Sequence, residues 1–425
     1  HPARDVFPRA AGMVPRASFA LVVAASCGHC LCEHSASSAC EAGSAECADV
    51  DDIAQLQMTR GLRRREEYDD WEIRQADGSP NKREEAAAFT YGNDLCLFGG
   101  REWQPIECLR GTTWKRFNTW TDNLHHVHPI FYDGLLWIIQ GWTGNWLDER
   151  DIDRIRIWNP LTDQMTTGKL PDGRDCWIPS QYRTGAGGTV EYNGNFYLVS
   201  GASSGHLQSV GAYATKRFVK FDPTSCTWTN MAAPLYERDH FQAVLVQGHK
   251  LIAAGGRWSS FSSNDNEAIS HPTAPSEMYD FESEGDGWVR KADIPTPRGG
   301  CANVAVGKYV YVSGGETDRG NDKDWANCNH PSSLKWYANR EVSRYDVETD
   351  TWDVMPEMVK GRHAHGSGWL WHGGRKMLRV AGGVECAGGG TELESAEEWI
   401  LPIDDSPGIP FWAPPSLLAA SAARA

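Results

Sequence analysis

Short apolar runs ending in a glycine pair recur along the chain. They close at Gly99-Gly100, Gly255-Gly256, Gly314-Gly315 and Gly382-Gly383, with degraded copies at Gly141-Trp142 and Gly201-Ala202. Successive intervals from Gly99 are 42, 60, 54, 59 and 68 residues. A second apolar run precedes each of them, separated by a turn such as Asp133-Gly134, Asn193-Gly194 or Gln247-Gly248. An Asn-Gly or Asp-Gly pair between apolar runs is a hairpin signal, so each copy opens with two antiparallel strands. Downstream lie an aromatic residue, an acid and a Trp, as in Phe221-Asp222…Trp228, Tyr279-Asp280…Trp288 and Tyr345-Asp346…Trp352. These supply two more strands. Ten residues after each of those Trp comes an Arg: Arg238, Arg298 and Arg362. Four strands with apolar faces cannot bury those faces alone. Stacking the copies around a ring buries them and leaves only short edges.

The glycine pairs, the Tyr-Asp, the spaced Trp and Thr296-Pro297-Arg298 resemble the kelch repeat. The resemblance covers residues 68–413 and implies an all-β fold. That fold is a six-bladed kelch-type β-propeller with a short Cys-rich irregular N-terminal segment. The expected division is a leader over 1–65, the propeller over 66–413 and a tail over 414–425. Trp71 reads as an outer strand without a blade of its own, and it is expected to complete the last blade. Phe411-Trp412 is the competing closure.

Composition narrows the function classes. The 425 residues carry a formal net charge of −15, which argues against a general nucleic-acid binder. No run of 18 uncharged apolar residues exists, so no transmembrane helix is expected. Of the 12 cysteines, Cys27, Cys30, Cys32, Cys40 and Cys47 crowd the N-terminus. The others read first as buried small hydrophobes, with disulfides as an alternative. Arg16 followed by an apolar run gives a signal-like segment near 13–26, so localisation is either secreted or cytoplasmic. Cys27-Gly-His-Cys30 matches a disulfide-isomerase dipeptide but lacks the surrounding βαβ pattern.

In kelch adaptors the junction Arg and the Arg after a glycine pair bind acidic segments. The resemblance therefore implies binding roles for Arg83, Arg183, Arg238, Arg298 and Arg362, with His125 in the odd blade, and for Arg101 and Arg257. The alternative is that junction Arg pair with acids of neighbouring blades such as Glu84, Glu237 or Asp239. Trp103, Trp142, Trp146 and Trp258, with Trp325 and Trp336, lie in the same loops as candidate anchors or sugar-stacking surfaces. His125, His126 and His128, and His363 and His365, form clusters. No ligand set is assigned: metal none, cofactors none, catalytic residues none. Asp318, Asn321, Asp322 and Asp324 depart from a calcium loop. The reading that follows is a protein-binding module whose partner presents an acidic peptide segment. The alternative is a secreted sugar-binding or sugar-active propeller, either oxidase-like or similar to the kelch-type sialic acid mutarotases. The balance favours a non-enzymatic role.

Overall fold

The computed structural model describes residues 70–145, 148–203, 205, 214–258, 272–283, 285, 287–317, 337–386 and 391–402. The chain divides into two units, His1–Gln57 and Met58–Ala425, and every described residue belongs to the second. The expectations for residues 1–69, Trp146, Trp325, Trp336, the Asp318–Asp324 loop and Phe411-Trp412 lie outside the described residues.

The chain folds into six four-stranded antiparallel sheets, the blades. Blade 1 holds Ala87–Tyr91, Asp94–Phe98, Gln104–Arg110 and Thr113–Thr121. Blade 2 holds Ile130–Tyr132, Leu135–Ile138, Arg156–Asn159 and Gln164–Thr167. Blade 3 holds Gly188–Tyr192, Asn195–Val199, Phe218–Asp222 and Thr227–Asn230. Blade 4 holds Ala243–Val246, Lys250–Ala253, Pro275–Asp280 and Trp288–Asp293. Blade 5 holds Ala302–Val306, Tyr309–Ser313, Val342–Asp346 and Thr351–Met355. Blade 6 holds Gly366–His372, Arg375–Ala381 and Ala396–Ile400, and its outer strand is Glu72–Ile73. That strand pairs Glu72 with Glu398 and Ile73 with Glu397, and Trp71 is buried 6.0 Å from Trp399. The only helical element among the described residues is one 3-10 turn, Ser180–Tyr182. No helix among them is long and apolar enough to cross a membrane.

Burial follows position in the blade. Asp94–Phe98 is buried at every residue because a blade lies on each side of it. Thr113–Thr121, at the rim, is largely exposed. First strands of neighbouring blades touch all the way round, including blade 6 against blade 1. The blade Trp bridge neighbours: the indole N–H groups of Trp288 and Trp352 donate to the carbonyls of Ala232 and Ala292, at 3.0 and 3.1 Å.

One set of backbone hydrogen bonds fixes the register of the ring. Gly100 N–H donates to Leu124 O at 3.0 Å, Gly141 to Thr184 at 2.9 Å and Gly201 to Arg238 at 2.9 Å. Gly256 donates to Arg298 at 2.8 Å, Gly315 to Arg362 at 2.9 Å and Gly383 back to Arg83 at 3.2 Å. The set shows why the preceding glycine is needed. A methyl group on Gly99 or Gly314 would run into the junction carbonyl of Leu124 or Arg362. It also corrects the sequence register in blades 2 and 3. The pairs there are Gln140-Gly141 and Ser200-Gly201, with Ser200 at φ 56° in the left-handed region that glycine takes elsewhere. The junction positions are therefore Arg83, Leu124, Thr184, Arg238, Arg298 and Arg362. Arg183 precedes its junction by one residue and donates from Nε to Ile178 O at 2.9 Å.

The cysteine expectation is also revised. Cys96 and Cys108 face each other on paired strands of blade 1 and are bonded, with Cα atoms 3.9 Å apart. Cys176 and Cys226 are bonded with Cα atoms 5.6 Å apart, and Cys386 is disulfide-bonded as well. Cys301 is a buried free thiol.

Candidate functional site

Four of the expected binding arginines turn inward. Arg83, Arg238, Arg298 and Arg362 are fully buried. Arg83, Arg238 and Arg362 pair with an acid on the third strand of their own blade, and Arg298 with Glu341 just before that strand, and none with the neighbouring-blade acids Glu84, Glu237 or Asp239. Arg83 bonds Glu107. Arg238 meets Glu277 at 3.0 Å, Arg298 meets Glu341 at 2.8 Å and Arg362 meets Glu397 at 2.6 Å. Three of these guanidiniums also donate to the carbonyl of the first glycine of the pair: Gly99 at 3.1 Å, Gly255 at 2.8 Å and Gly382 at 2.7 Å. They tie the glycine turn to the third strand. A guanidinium with several fixed donors can satisfy a carboxylate and two carbonyls at once. Projection of these four into a mouth is thus corrected: their side chains hold the blades together.

The residues two places after each junction come together at one end of the ring. Glu85, His126, Ala186, His240, Gly300 and Ala364 all have φ between 52° and 62°. Their backbones are linked: His126 N–H donates to Glu85 O, Ala186 to His126 O, Gly300 to His240 O and Ala364 to Gly300 O. They line a cavity of about 50 Å³ with Cys301, Gln242 and His365. A larger cavity of about 520 Å³, lined by the first strands, lies toward the hairpin turns, and no residue lines both. Holding five non-glycine residues in the left-handed region costs roughly 1–3 kcal/mol each, a mark of functional sites.

Ionisable side chains crowd this end. His126 Nε2 lies 3.1 Å from His240 Nε2 and 3.2 Å from Glu85 Oε2. His126 Nδ1 lies 2.6 Å from His125 Nδ1, and His125 Nε2 lies 3.0 Å from Gly144 O. His240 Nδ1 bonds the Asp239 carboxylate, and Arg257 Nη2 meets His240 Nε2 at 2.9 Å. Burial, with Arg101 second, pushes the His125 imidazole down to about 4. Burial likewise holds His126 below the ordinary imidazole range. Burial first, and then the charge of Glu85, pushes Glu84 up to about 7.

Arg101 and Arg257 sit here too, both in ion pairs. Arg101 meets Glu84 at 2.9 Å and Glu149 at 2.7 Å; Arg257 meets Asp239 at 3.6 Å and Glu316 at 3.5 Å. Acids outnumber guanidiniums among the described residues of this mouth, so it is no positive ring. His125 is fully buried. So is Trp142, which donates from Nε1 to Asp151 at 3.0 Å and packs 4.4 Å from His126. Trp142 is a wall of the site, not a rim anchor. Trp103 and Trp258 are exposed, at 64% and 37%. Glu85, His240 and Glu149 were not selected from sequence. The signal for the first two was present: aligning the copies on the junction puts Glu85, His126 and His240 at the same repeat position.

Comparison with known proteins agrees with this architecture. No family model matches the chain. It is 23% identical over 340 residues to Kelch-like protein terF of Aspergillus terreus, covering 76% of this chain and 66% of the relative. It is 25% identical to Kelch-like protein 25 of Xenopus tropicalis over 43% of this chain and 26% of that one. It is 27% identical to Alpha-scruin of Limulus polyphemus over 44% and 18%. The chain is a kelch-repeat propeller. It therefore spans two thirds or less of the length of these relatives. The solved structure of YjhT matches the fold with TM-score 0.57 at 17% identity, over 75% of this chain and 95% of that one. Kelch propellers, like those of the kelch-like relatives, commonly serve as protein-interaction modules.

Proposed function

We propose that this kelch propeller is an interaction module whose partner docks on the end formed by the junction and post-glycine loops. The supporting observation is the exposure of Trp103 and Trp258, each just beyond an ion-paired Arg at the edge of the axial cluster. Exposed indoles are effective interface anchors, because they bury large area at small entropic cost. The acid excess beside them favours a partner with apolar and basic side chains over the acidic segment expected from sequence. A displayed random-peptide library selected on the chain tests this. Selected peptides should lose binding to the W103A/W258A double variant. They should keep it on W177A, whose exposed indole packs against Arg154. Equal binding to all variants would refute the reading.

A small polar ligand, such as a carbohydrate, is the second reading. It is favoured by the buried acid–histidine cluster at the centre of the same end, which a flat docking surface does not need. A glycan array probed with the same variants separates the two.

A further inference from the structure

The protons at the axial cluster can be placed from their partners. The Gly144 carbonyl only accepts, so His125 Nε2 carries a proton and donates to it at 3.0 Å. In a neutral ring His125 Nδ1 then accepts, and His126 Nδ1–H donates to it at 2.6 Å. That leaves a lone pair on His126 Nε2. The Asp239 carboxylate likewise fixes a proton on His240 Nδ1. A guanidinium only donates, so His240 Nε2 presents a lone pair to Arg257. Two imidazole lone pairs and the Glu85 carboxylate thus converge on one point, with separations of 3.1 and 3.2 Å from His126 Nε2.

Those separations fit a shared cation. Ligand atoms 2.0–2.1 Å from an ion and about 3.1–3.2 Å apart subtend about 100°, between octahedral and tetrahedral angles. The alternative trio of His125, His126 and Glu149 fails the same test. Its two imidazole nitrogens are 2.6 Å apart, a hydrogen-bond distance too short for two ligands on one ion. His125 and Asp239 instead serve as outer partners that orient the ligating rings, as metal sites require.

We propose that Glu85, His126 and His240 form a binding site for one first-row divalent metal ion on the propeller axis. The three residues come from blades 1, 2 and 4 and share one repeat position, so the left-handed ring aims them at one point. Arg257 is the competitor. It donates to the His240 lone pair and must release it when the ion enters. Asp239 and Glu316, at 3.6 and 3.5 Å, remain as its partners. The site is separate from the docking reading, since neither Trp103 nor Trp258 contributes a ligand.

The test uses the full chain, stripped with chelator and titrated with Zn²⁺ by calorimetry and with Co²⁺ by visible absorption. One ion per chain should bind, with a Co²⁺ spectrum free of sulfur charge-transfer bands. Affinity should fall at least about 100-fold in E85Q and in H240N, and about tenfold in H125N. R257Q should bind more tightly, since it loses a positive charge and a competing donor. C27S/C30S and W103A/W258A should bind as the parent does. Failure to bind, sulfur-ligand bands lost in C27S/C30S, or indifference to E85Q and H240N would overturn the proposal. R257Q guards against misfolded variants, because a merely structural cluster would not gain affinity. A proton shared within the trio in place of a metal ion would appear as no binding in any variant.

Discussion

Blades 1, 4, 5 and 6 and blades 2 and 3 solve the same packing problem differently. In the first group a buried junction Arg meets an acid on or just before the third strand, and in blades 1, 4 and 6 it also ties down the glycine turn. In the second, Leu124 and Thr184 stand at the junction, and Arg156 and Val219 stand opposite the second-strand residue that Glu107, Glu277 or Glu397 faces elsewhere. Both partners of the ion pair are gone together, as expected where half a pair would leave a buried charge uncompensated. Blades 2 and 3 hold together by other means. A large aromatic and aliphatic cluster runs through blades 1 to 3, and a disulfide joins Cys176 to Cys226. The relaxed repeat also makes room for chemistry. His125, His126, Trp142 and Glu149 all belong to the degraded copy, where a small extra sheet joins Leu124–His125, Trp142–Thr143 and Arg150–Asp151. Local departures from a repeat rule are where functional residues are expected.

Breaking one pair in a regular blade should have the largest effect. E397Q or R362M should lower stability by about 3–5 kcal/mol in urea unfolding, because each leaves a buried partner unmatched. The double variant R362T/E397V copies the arrangement of blade 3 and should regain most of that loss. If the double is as unstable as the singles, the two groups are not interchangeable solutions. Removing the disulfide by C176A/C226A should cost about 2–4 kcal/mol, and the parent should lose at least as much under reducing conditions, which also open the bridges of Cys96 and Cys386. Losses under about 1 kcal/mol would show that the aromatic cluster alone holds blades 2 and 3. A regular junction should contribute to the loss of stability in acid, beside the share of His125 and His126. Burial, then Arg362 and His363, holds the His365 imidazole well below its ordinary value. Its folded pKa is below the unfolded one, so the unfolded chain takes up the proton first. Stability from this residue is intact above about pH 6.5 and falls by up to about 1.4 kcal/mol per pH unit as pH drops. H365Q should lessen the slope in that part of the profile, and an unchanged slope would remove His365 as a source. The smallest effect is expected at T184V. It loses only the 2.9 Å hydrogen bond to Ala202 O, worth about 0.5–1.5 kcal/mol by thermal unfolding.

Much of the fold was legible because strand pairing and repeat spacing are local. The glycine pairs, the Asn-Gly and Asp-Gly turns and the spaced Trp each act over a few residues, and together they marked six blades. The stray aromatic Trp71 marked the closing strand for the same reason. The register of blades 2 and 3 was misread by one residue, since Gly141 and Gly201 each have a neighbour that could pass as the second member of the pair. Ser200 and Gln140 take the first place, and only the hydrogen bonds to the next blade reveal it.

The sequence by itself determined the number of blades, the four-strand pattern and the presence of an Arg at four junctions. Whether those Arg face a partner or the core was decided by tertiary structure. The answer depends on Glu107, Glu277, Glu341 and Glu397, which lie 24 to 43 residues away in the chain. The axial cluster was decided there too. His126 and His240 are 114 residues apart and meet because ring closure carries equivalent positions to a common axis. A pattern read along one strand fixes which way a side chain alternates, but not which group it finds across the ring.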